Sequence, residues 1–428
     1  MGALMISMLC VLRAGAVGNP PKRPENLKIN LLEKPMGVEK EDLRFSWAFC
    51  DSDENEKQTG FRIVIGKTAK QMEKQEYLYD SGWQESSISS GVKISDLSEC
   101  LEDNSLYYWS VQTRDKDGLE GSFSEPQSFT TAVGNSWKST TGIWGSADQA
   151  FVFLRGTFQS KSAIEKAVVS VTASSPEKTR QYIYDFYVNG SLVGIGPSRI
   201  NAGKLYYNTY DVTEYLKNGT NILGAICYAE EGRAFLCQLT VFYQDGTSEI
   251  LVNSGEDRDN WRALDANQIF GNQGINIGVG AYYYASTQNM NGVLYPYGWS
   301  ESGYQPKAWK VVSASWDLRN SGKLEPYPSE TINRYEQKAK KVTKLSADSY
   351  VIDLGKEIVG SLELRIRSPK QTQVMISYGE ELNSDGSVKY KLRTGNVYRE
   401  VWTLKSGYQD LSDIGMKTYR YVQIDQCP

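Results

Sequence analysis

Apolar residues along most of this chain recur at every second position in runs of five to ten, the period of a half-buried strand. In the first third, "DLRFSWAF" (42–49), "GFRIVIG" (60–66) and "SLYYWSVQTRD" (105–115) are separated by polar turns and closed by "SEPQSFTTAVG" (124–134). This predicts a small β-sandwich over 21–132, with Trp47 and the Tyr107-x-Trp109 pattern as core anchors. Further on, "YDFYVNGSLVG" (184–194) is a predicted hairpin, because Asn189-Gly190 supplies the positive φ angles of a tight turn. "YYNTYDVTEYLKNGTNILGAICY" (206–228) reads as strand, short helical turn and strand, and "LCQLTVFYQDGTSEILVNS" (236–254) as a hairpin turned at Asp245-Gly246. Such a run of strands over 140–330 predicts a jelly roll or sandwich.

The stretch 255–345, with "YPYGWSESGYQPKAWKVV" (295–312) and the basic "RYEQKAKKVTK" (334–344), carries weak patterning and reads as sheet edge plus connection. A last β-unit is predicted over 346–426 from "QVMISYGEEL", "YREVWTLK" and "YRYVQID". Within it, "VIDLGKEIVGSLELRI" (351–366) poses a question, since Gly355 and Gly360 interrupt an apolar stretch. Period two over Leu362, Leu364 and Ile366 predicts two short strands joined by a glycine-flanked bend. No periodic helix longer than three turns is predicted anywhere. The fold class is all-β and multidomain.

Composition changes this picture little. With 40% hydrophobic residues among 428, there is ample material for buried cores, and a formal charge of −4 disfavours a duplex nucleic-acid partner. The 28 tyrosines and 10 tryptophans suit surfaces on which sugar rings stack, and equally suit sheet packing. Residues 1–20 have the look of a secretory leader, with the apolar "ALMISMLCVL" ahead of the small "AGA" at Ala14–Ala16. The predicted location is therefore secreted or periplasmic. That apolar run is too short to span a membrane, and no longer one exists. Six cysteines, at 10, 50, 100, 227, 237 and 427, show no metal-ligand spacing. Cys227 and Cys237 flank "YAEEGRAFL", read as a hairpin, so either a disulfide or two buried thiols is expected there. Cys50 and Cys100 are expected at opposite poles of the first sandwich, unpaired.

The chain has no histidine, which excludes a Ser-His-Asp or Cys-His nucleophile and histidine metal sites. "GIGPSR" (194–199) and "GVG" (278–280) are too short for dinucleotide loops. Carboxylate pairs could serve a glycosidase, and Asp185, Asp353, Glu380 and Glu381 are available, but sequence places no two of them across one cleft. No catalytic residue and no metal ligand is assigned. Carbohydrate binding is the better option, because jelly rolls offer shallow faces with aromatic and Asn/Asp side chains. The candidates are Asp185, Asn189, Tyr206 and Tyr207, each set against the plainer alternative of turn or core packing. No cofactor is required by this chemistry; calcium held by oxygen ligands stays open.

Taken in order, these stretches resemble the β region of bacterial α-L-rhamnosidases, glycoside hydrolase family 78. "ENLKINLLEKPMGVEKEDLRFSWAF", "YDSGW", "LYYWSVQTRDKDG" and "SEPQSFTT" are similar to the family's fibronectin III/Ig-like opening domain. "FLRGTF", "YDFYVNGSLVG" and "YYNTYDVTEYLKNGTNILG" are similar to its jelly-roll, galactose-binding-like domain, and "YPYGWSESGYQPKAWKVV" to the stretch after it. "YVIDLGKEIVGSLELRI" through "YRYVQI" resembles its concanavalin-like β-sandwich, with "DLGKEIVG" as the strand that opens it and Asp353 in a structural role. The resemblance implies rhamnose-containing glycans as the carbohydrate partner. It also implies a helical (α/α)₆ catalytic barrel, expected after "QIDQCP" and absent from these 428 residues, against which the β-domains would pack. The chain alone is accordingly expected to hydrolyse nothing. Where the family carries a charged Tyr-Asp-Ala-Arg stretch, this chain has "GAYYYAST" (280–287). A stand-alone carbohydrate-binding protein or a scaffold is the competing expectation.

Overall fold

The computed structural model describes residues 18–174, 183–197, 203–229, 232–271, 289–320, 322–393, 395, 397–414 and 416–428. The leader-like run with Cys10, the "GVG" at 278–280, the stretch 280–287 and the end of "GIGPSR" lie outside the described residues. The fold is all-β, and it forms two compact units. Among the described residues, the first takes those up to Pro35, Glu41–Leu101 and Tyr107–Phe129; the second takes Met36–Lys40, Glu102–Leu106 and those from Thr130 on.

In the first unit, β1 (Glu25–Ile29) pairs with β2 (Phe45–Ala48). The other sheet contains β3 (Gly60–Gly66), β4 (Tyr79–Asp80), β5 (Gln84–Glu85), β6 (Leu106–Arg114) and β7 (Gln127–Thr130) in the order β4-β3-β6-β7, with β5 beside β3. Alternation sends one side chain in two between the sheets. There Phe45 meets Trp109 edge-on at 4.8 Å, Trp47 meets Phe61 at 5.2 Å, and Tyr107 meets Phe129 at 5.6 Å. The anticipated anchors therefore do form the core. Trp47 also donates its indole N–H to Gln58 Oε1 at 2.8 Å, so its one polar atom is satisfied inside. Cys50 and Cys100 are both free thiols.

The second unit begins with β8 (Thr141–Trp144), β9 (Phe151–Ser160), β10 (Ile164–Ala173), β11 (Tyr184–Val188), β12 (Ser191–Gly196), β13 (Lys204–Asp211) and β14 (Gly219–Tyr228). It continues with β15 (Phe235–Tyr243), β16 (Ser248–Asn253), β17 (Trp261–Asp265), β18 (Met290–Asn291), β19 (Lys310–Val311), β20 (Ser313–Asp317) and β21 (Lys323–Pro326). One jelly-roll sheet runs β20-β8-β15-β10-β13-β21 with β16 beside β15; the other runs β12-β11-β14-β9-β17-β19. The β11–β12 hairpin turns at Asn189-Gly190, with Val188 opposite Ser191 and φ near 48° and 90° at the two turn residues. Cys227 and Cys237 correct one expectation. Their strands β14 and β15 lie in opposite sheets, not in one hairpin, and both thiols are free and buried in the sandwich core.

The C-terminal sandwich adds β22 (Lys341–Lys344), β23 (Tyr350–Gly360), β24 (Glu363–Ser368), β25 (Thr372–Gly379), β26 (Arg399–Leu404), β27 (Gly407–Ser412) and β28 (Lys417–Asp425). Its main sheet runs β18-β26-β25-β28-β23-β22, and β24 pairs with β27. The glycine-flanked bend falls inside one long strand: pairing of β23 with β28 slips between Asp353 and Ile358, where Gly355 has φ +81°. Asp353 accepts Gly355 N–H at 2.7 Å and Arg420 Nε–H and Nη2–H at 2.9 and 3.0 Å. The expected structural role of Asp353 thus acquires a geometry. Its carboxylate ties the bulge to the neighbouring strand.

Candidate functional site

The sheet holding β9, β11 and β14 is buried on both faces. Val152, Leu154, Phe186, Leu223, Ala225 and Cys227 point into the jelly-roll core. The alternate residues Phe151, Phe153, Ile226 and Tyr228 join a second core with Trp299, Trp309, Trp402 and Tyr378, shared with the C-terminal sandwich. This is why the strand "NILGAICY" is nearly all apolar. Arg155 belongs to the same outer face. It is buried, its pKa is depressed by that burial, and it donates to the carbonyls of Trp299 (3.0 Å) and Glu301 (3.1 Å). Trp299 rests directly over Gly224, where a Cβ would stand 2.6 Å from the ring.

Beside this shared core opens a groove of about 530 Å³, within the size range of small-ligand sites. Asp185, Leu192 and Ile195 of the β11–β12 hairpin form one wall. The strand bulge from Leu354 to Glu363 and the chain from Ile332 to Gln337 form the others, with Tyr419 at the base. Asp185 reaches it by strand alternation: Tyr184 and Phe186 fill the inner core, so Asp185 and Tyr187 turn outward. Asp185 is only 8% exposed. Burial first, and then the charge of Asp185, push the Tyr187 hydroxyl well above its ordinary pKa. Burial likewise raises Tyr419, and the charge of Asp413 adds to it. At the rim, Tyr335 is exposed with Lys356 Nζ 4.9 Å from its ring centre, and Arg365 bridges Glu363 and Asp410. The groove therefore combines apolar walls, aromatic faces and charges of both signs.

The other three candidates lie elsewhere. Asn189 sits in the hairpin turn, where its amide donates to Tyr215 O and Asn221 Oδ1 at 2.8 Å and its oxygen accepts Ile222 N–H at 2.9 Å. Tyr207 is buried; its hydroxyl accepts Val133 N–H at 3.0 Å and its ring meets Trp137. Tyr206, on the opposite sheet from Asp185, packs edge-on against Tyr327 at 5.7 Å. Asp185 is the one of the four that lines the groove.

Sequence reasoning missed a buried ionic cluster nearby. Lys417 Nζ contacts both Glu400 Oε1 (2.8 Å) and Asp413, while Tyr378 and Trp402 donate to Glu400 Oε2 at 2.9 and 3.2 Å. Burial works against the charge on Lys417, yet Asp413 and Glu400 outweigh it and hold its pKa above the ordinary value. A signal existed: in "YREVWTLK", period two puts Glu400 on the same face as Trp402 and Leu404, a charge at a core position. Also missed were three converging carboxylates, Asp51, Glu56 and Asp115, in the first unit. Their signal was the acidic run "DSDENE" facing "RDKDG".

Residues 24–135 match the family described as "Rha78A-like, N-terminal immunoglobulin domain", and residues 343–428 match "Bacterial alpha-L-rhamnosidase concanavalin-like domain". The chain carries two domains of the α-L-rhamnosidase family. Among curated α-L-rhamnosidases, one from Formosa agariphila is 24% identical over 83% of this chain and 39% of its own length. One from Streptomyces avermitilis is 28% identical over 58% of the chain and 24% of its own length. The chain thus spans about two fifths or less of these relatives. Two α-L-rhamnosidase structures share the fold. That from Dictyoglumus thermophilum matches with TM-score 0.76 at 21% identity, over 95% of this chain and 47% of the other. That from Streptomyces avermitilis, complexed with L-rhamnose, matches with TM-score 0.63 at 18% identity, over 95% and 56%. Among the described residues of this rhamnosidase-related chain, no helix is long and apolar enough to cross a membrane.

Proposed function

We propose that this chain is the non-catalytic β region of an α-L-rhamnosidase-like glycoside hydrolase acting on rhamnose-containing glycans, and that the groove beside Asp185 binds or positions the sugar. The carrying observation is the groove itself, whose lining brings the nearly buried Asp185 together with Tyr335, Tyr419 and apolar side chains. A carboxylate is an acceptor for sugar hydroxyls, and a hydrogen bond to a charged group contributes about 1.5–3 kcal/mol. The L-rhamnose complex of the Streptomyces avermitilis relative supports the choice of sugar. In this reading the protein is secreted or periplasmic, and a helical catalytic domain packs against the β-domains.

Titration calorimetry with L-rhamnose and simple rhamnosides, with and without calcium, tests the proposal. Saturable heat at millimolar sugar is expected, weakened about tenfold or more in Asp185→Asn, since about 1.4 kcal/mol corresponds to a factor of ten. A flat trace from a folded chain would leave the groove without a sugar. The scaffold reading would then lead. It is favoured by one observation, the exposed apolar rim of Val359 (65%), Tyr335 (70%) and Ile332 (40%), which suits contact with another protein surface.

A further inference from the structure

We infer that Asp51, Glu56 and Asp115 of the first unit form a calcium-binding site, independent of the sugar-binding groove. Asp51 and Glu56 belong to the loop between β2 and β3, and Asp115 follows the last residue of β6. The ladder pairing Gly60 with Arg114, continued by Thr59 N–H donating to Arg114 O at 2.8 Å, draws that loop onto the turn after β6. One carboxylate oxygen from each of the three then lies within 4.8 Å of the others.

Proximity of acids alone would say little, because acidic groups often cluster on solvated surfaces. Here Asp115 and the Glu56 side chain are withdrawn from water, Asp51 is partly buried, and Asp51 and Glu56 each keep one buried oxygen unpaired. Asp115 is 1% exposed, and the Glu56 side chain is 5% exposed. Asp115 Oδ1 accepts Asp117 and Leu119 N–H at 2.8 Å, Asp51 Oδ1 accepts Asp53 N–H at 2.9 Å, and Lys116 Nζ donates to Glu56 Oε1. Asp51 Oδ2 and Glu56 Oε2 are buried with no hydrogen-bond donor. Buried polar atoms are almost always satisfied, so two orphaned anionic oxygens in one cluster point to a positive group that supplies what the protein does not. One ammonium faces three carboxylates, which leaves excess negative charge for a divalent cation to offset.

The donor set selects the metal. All ligands are hard oxygens, with no histidine in the chain and no cysteine in the cluster, so zinc and copper are disfavoured. Calcium accepts six to eight oxygens in irregular geometry and completes its shell with water, whereas magnesium demands a near-octahedral arrangement. The segment Asp51-Ser52-Asp53-Glu54-Asn55 also has the alternate-residue oxygen spacing with which calcium loops begin, although Asp53 is engaged by Asn19 at 2.6 Å.

The chelator-stripped full chain, titrated with CaCl2 in a calorimeter and followed by thermal melting, tests the site. We expect one saturable event with Kd of about 0.1–1 mM, the range of extracellular calcium modules, a Tm that rises with calcium, and binding of MgCl2 at least tenfold weaker. The double variant Asp51→Asn/Glu56→Gln should lose both the heat and the Tm rise. In chelator its Tm should equal or exceed that of the parent, because like charges have been removed. If it does not fold, Asp51→Asn alone should weaken calcium about tenfold. A parent chain showing neither heat nor a Tm change up to about 10 mM calcium overturns the assignment, as does a calcium response that survives in the double variant.

Discussion

The two faces of the sheet formed by β9, β11 and β14 solve different packing problems. Along β9 and β14 the inner face, against the other jelly-roll sheet, is small and aliphatic, with Val152, Leu154, Leu223, Ala225 and Cys227, and its rings, Tyr184 and Phe186, come from β11. The outer face carries Phe151, Phe153, Tyr187 and Tyr228, and meets Trp299, Trp309 and Trp402. Sheets stacked in one sandwich interdigitate their inner side chains, and the short residues of β9 and β14 leave room for the rings of β11 and of the facing sheet. The junction with the C-terminal sandwich takes rings, a buried arginine and a buried ionic cluster. The aliphatic stretch along β9 and β14 tolerates exchange of one apolar residue for another. A junction built of rings and a buried ion-paired cluster fixes one geometry, and that geometry is what holds the groove walls in place.

The largest test of this contrast removes the charge at the centre of the cluster. Lys417→Met leaves Glu400 and Asp413 buried without their cation, and the expected loss is about 3–5 kcal/mol in urea unfolding. Replacing all three together, as Lys417→Met, Glu400→Gln and Asp413→Asn, should return most of that loss, because the cost lies in the unpaired charges. A triple variant no more stable than the single one would show that the cluster's shape matters more than its charge balance.

A smaller effect tests ring against backbone. Gly224→Ala places a methyl 2.6 Å from Trp299 and should cost about 1–3 kcal/mol by overpacking. In a Trp299→Ala background, itself costing about 3–5 kcal/mol, the same change should become nearly neutral. Additive losses in that cycle would mean that Gly224 is needed for a reason other than the close approach of the ring.

The contrast also explains what could be read in advance. Period two and the turn pairs Asn189-Gly190 and Asp245-Gly246 announced strands, hairpins and the inner core, because those signals are local. The partner of each strand was less legible. Cys227 and Cys237 are ten residues apart and looked like a hairpin pair, yet the chain crosses from one sheet to the other between them. Asn189 and Asp185 are four residues apart on one strand and its turn, but pleat alternation and the second sandwich turn only Asp185 toward the groove. The groove itself joins residues from Asp185 to Val422, and no short-range pattern contains such a meeting.

The ion pair between Asp353 and Arg420 repeats the chemistry of the Lys417 cluster at a wetter place, so it gives the smallest effect. Their side chains are 23% and 38% exposed, and exposed pairs contribute about 0.2–1 kcal/mol. The Arg420 hydrogen bonds, and then the Gly355 N–H, hold the Asp353 carboxyl below its usual pKa against a modest opposing effect of burial. A depressed carboxylate adds stability that is fully present above its unfolded pKa, about 3.9, and is lost as pH falls through the lower folded value. Asp353→Asn should therefore destabilise by up to about 1 kcal/mol at pH 7, and the gap to the parent should close at an acid pH below the lowered folded pKa. Urea midpoints for the two chains at both pH values measure this. A gap of equal size at both would assign the loss to the bulge hydrogen bond with Gly355, which a neutral amide disturbs at any pH, and not to the charge.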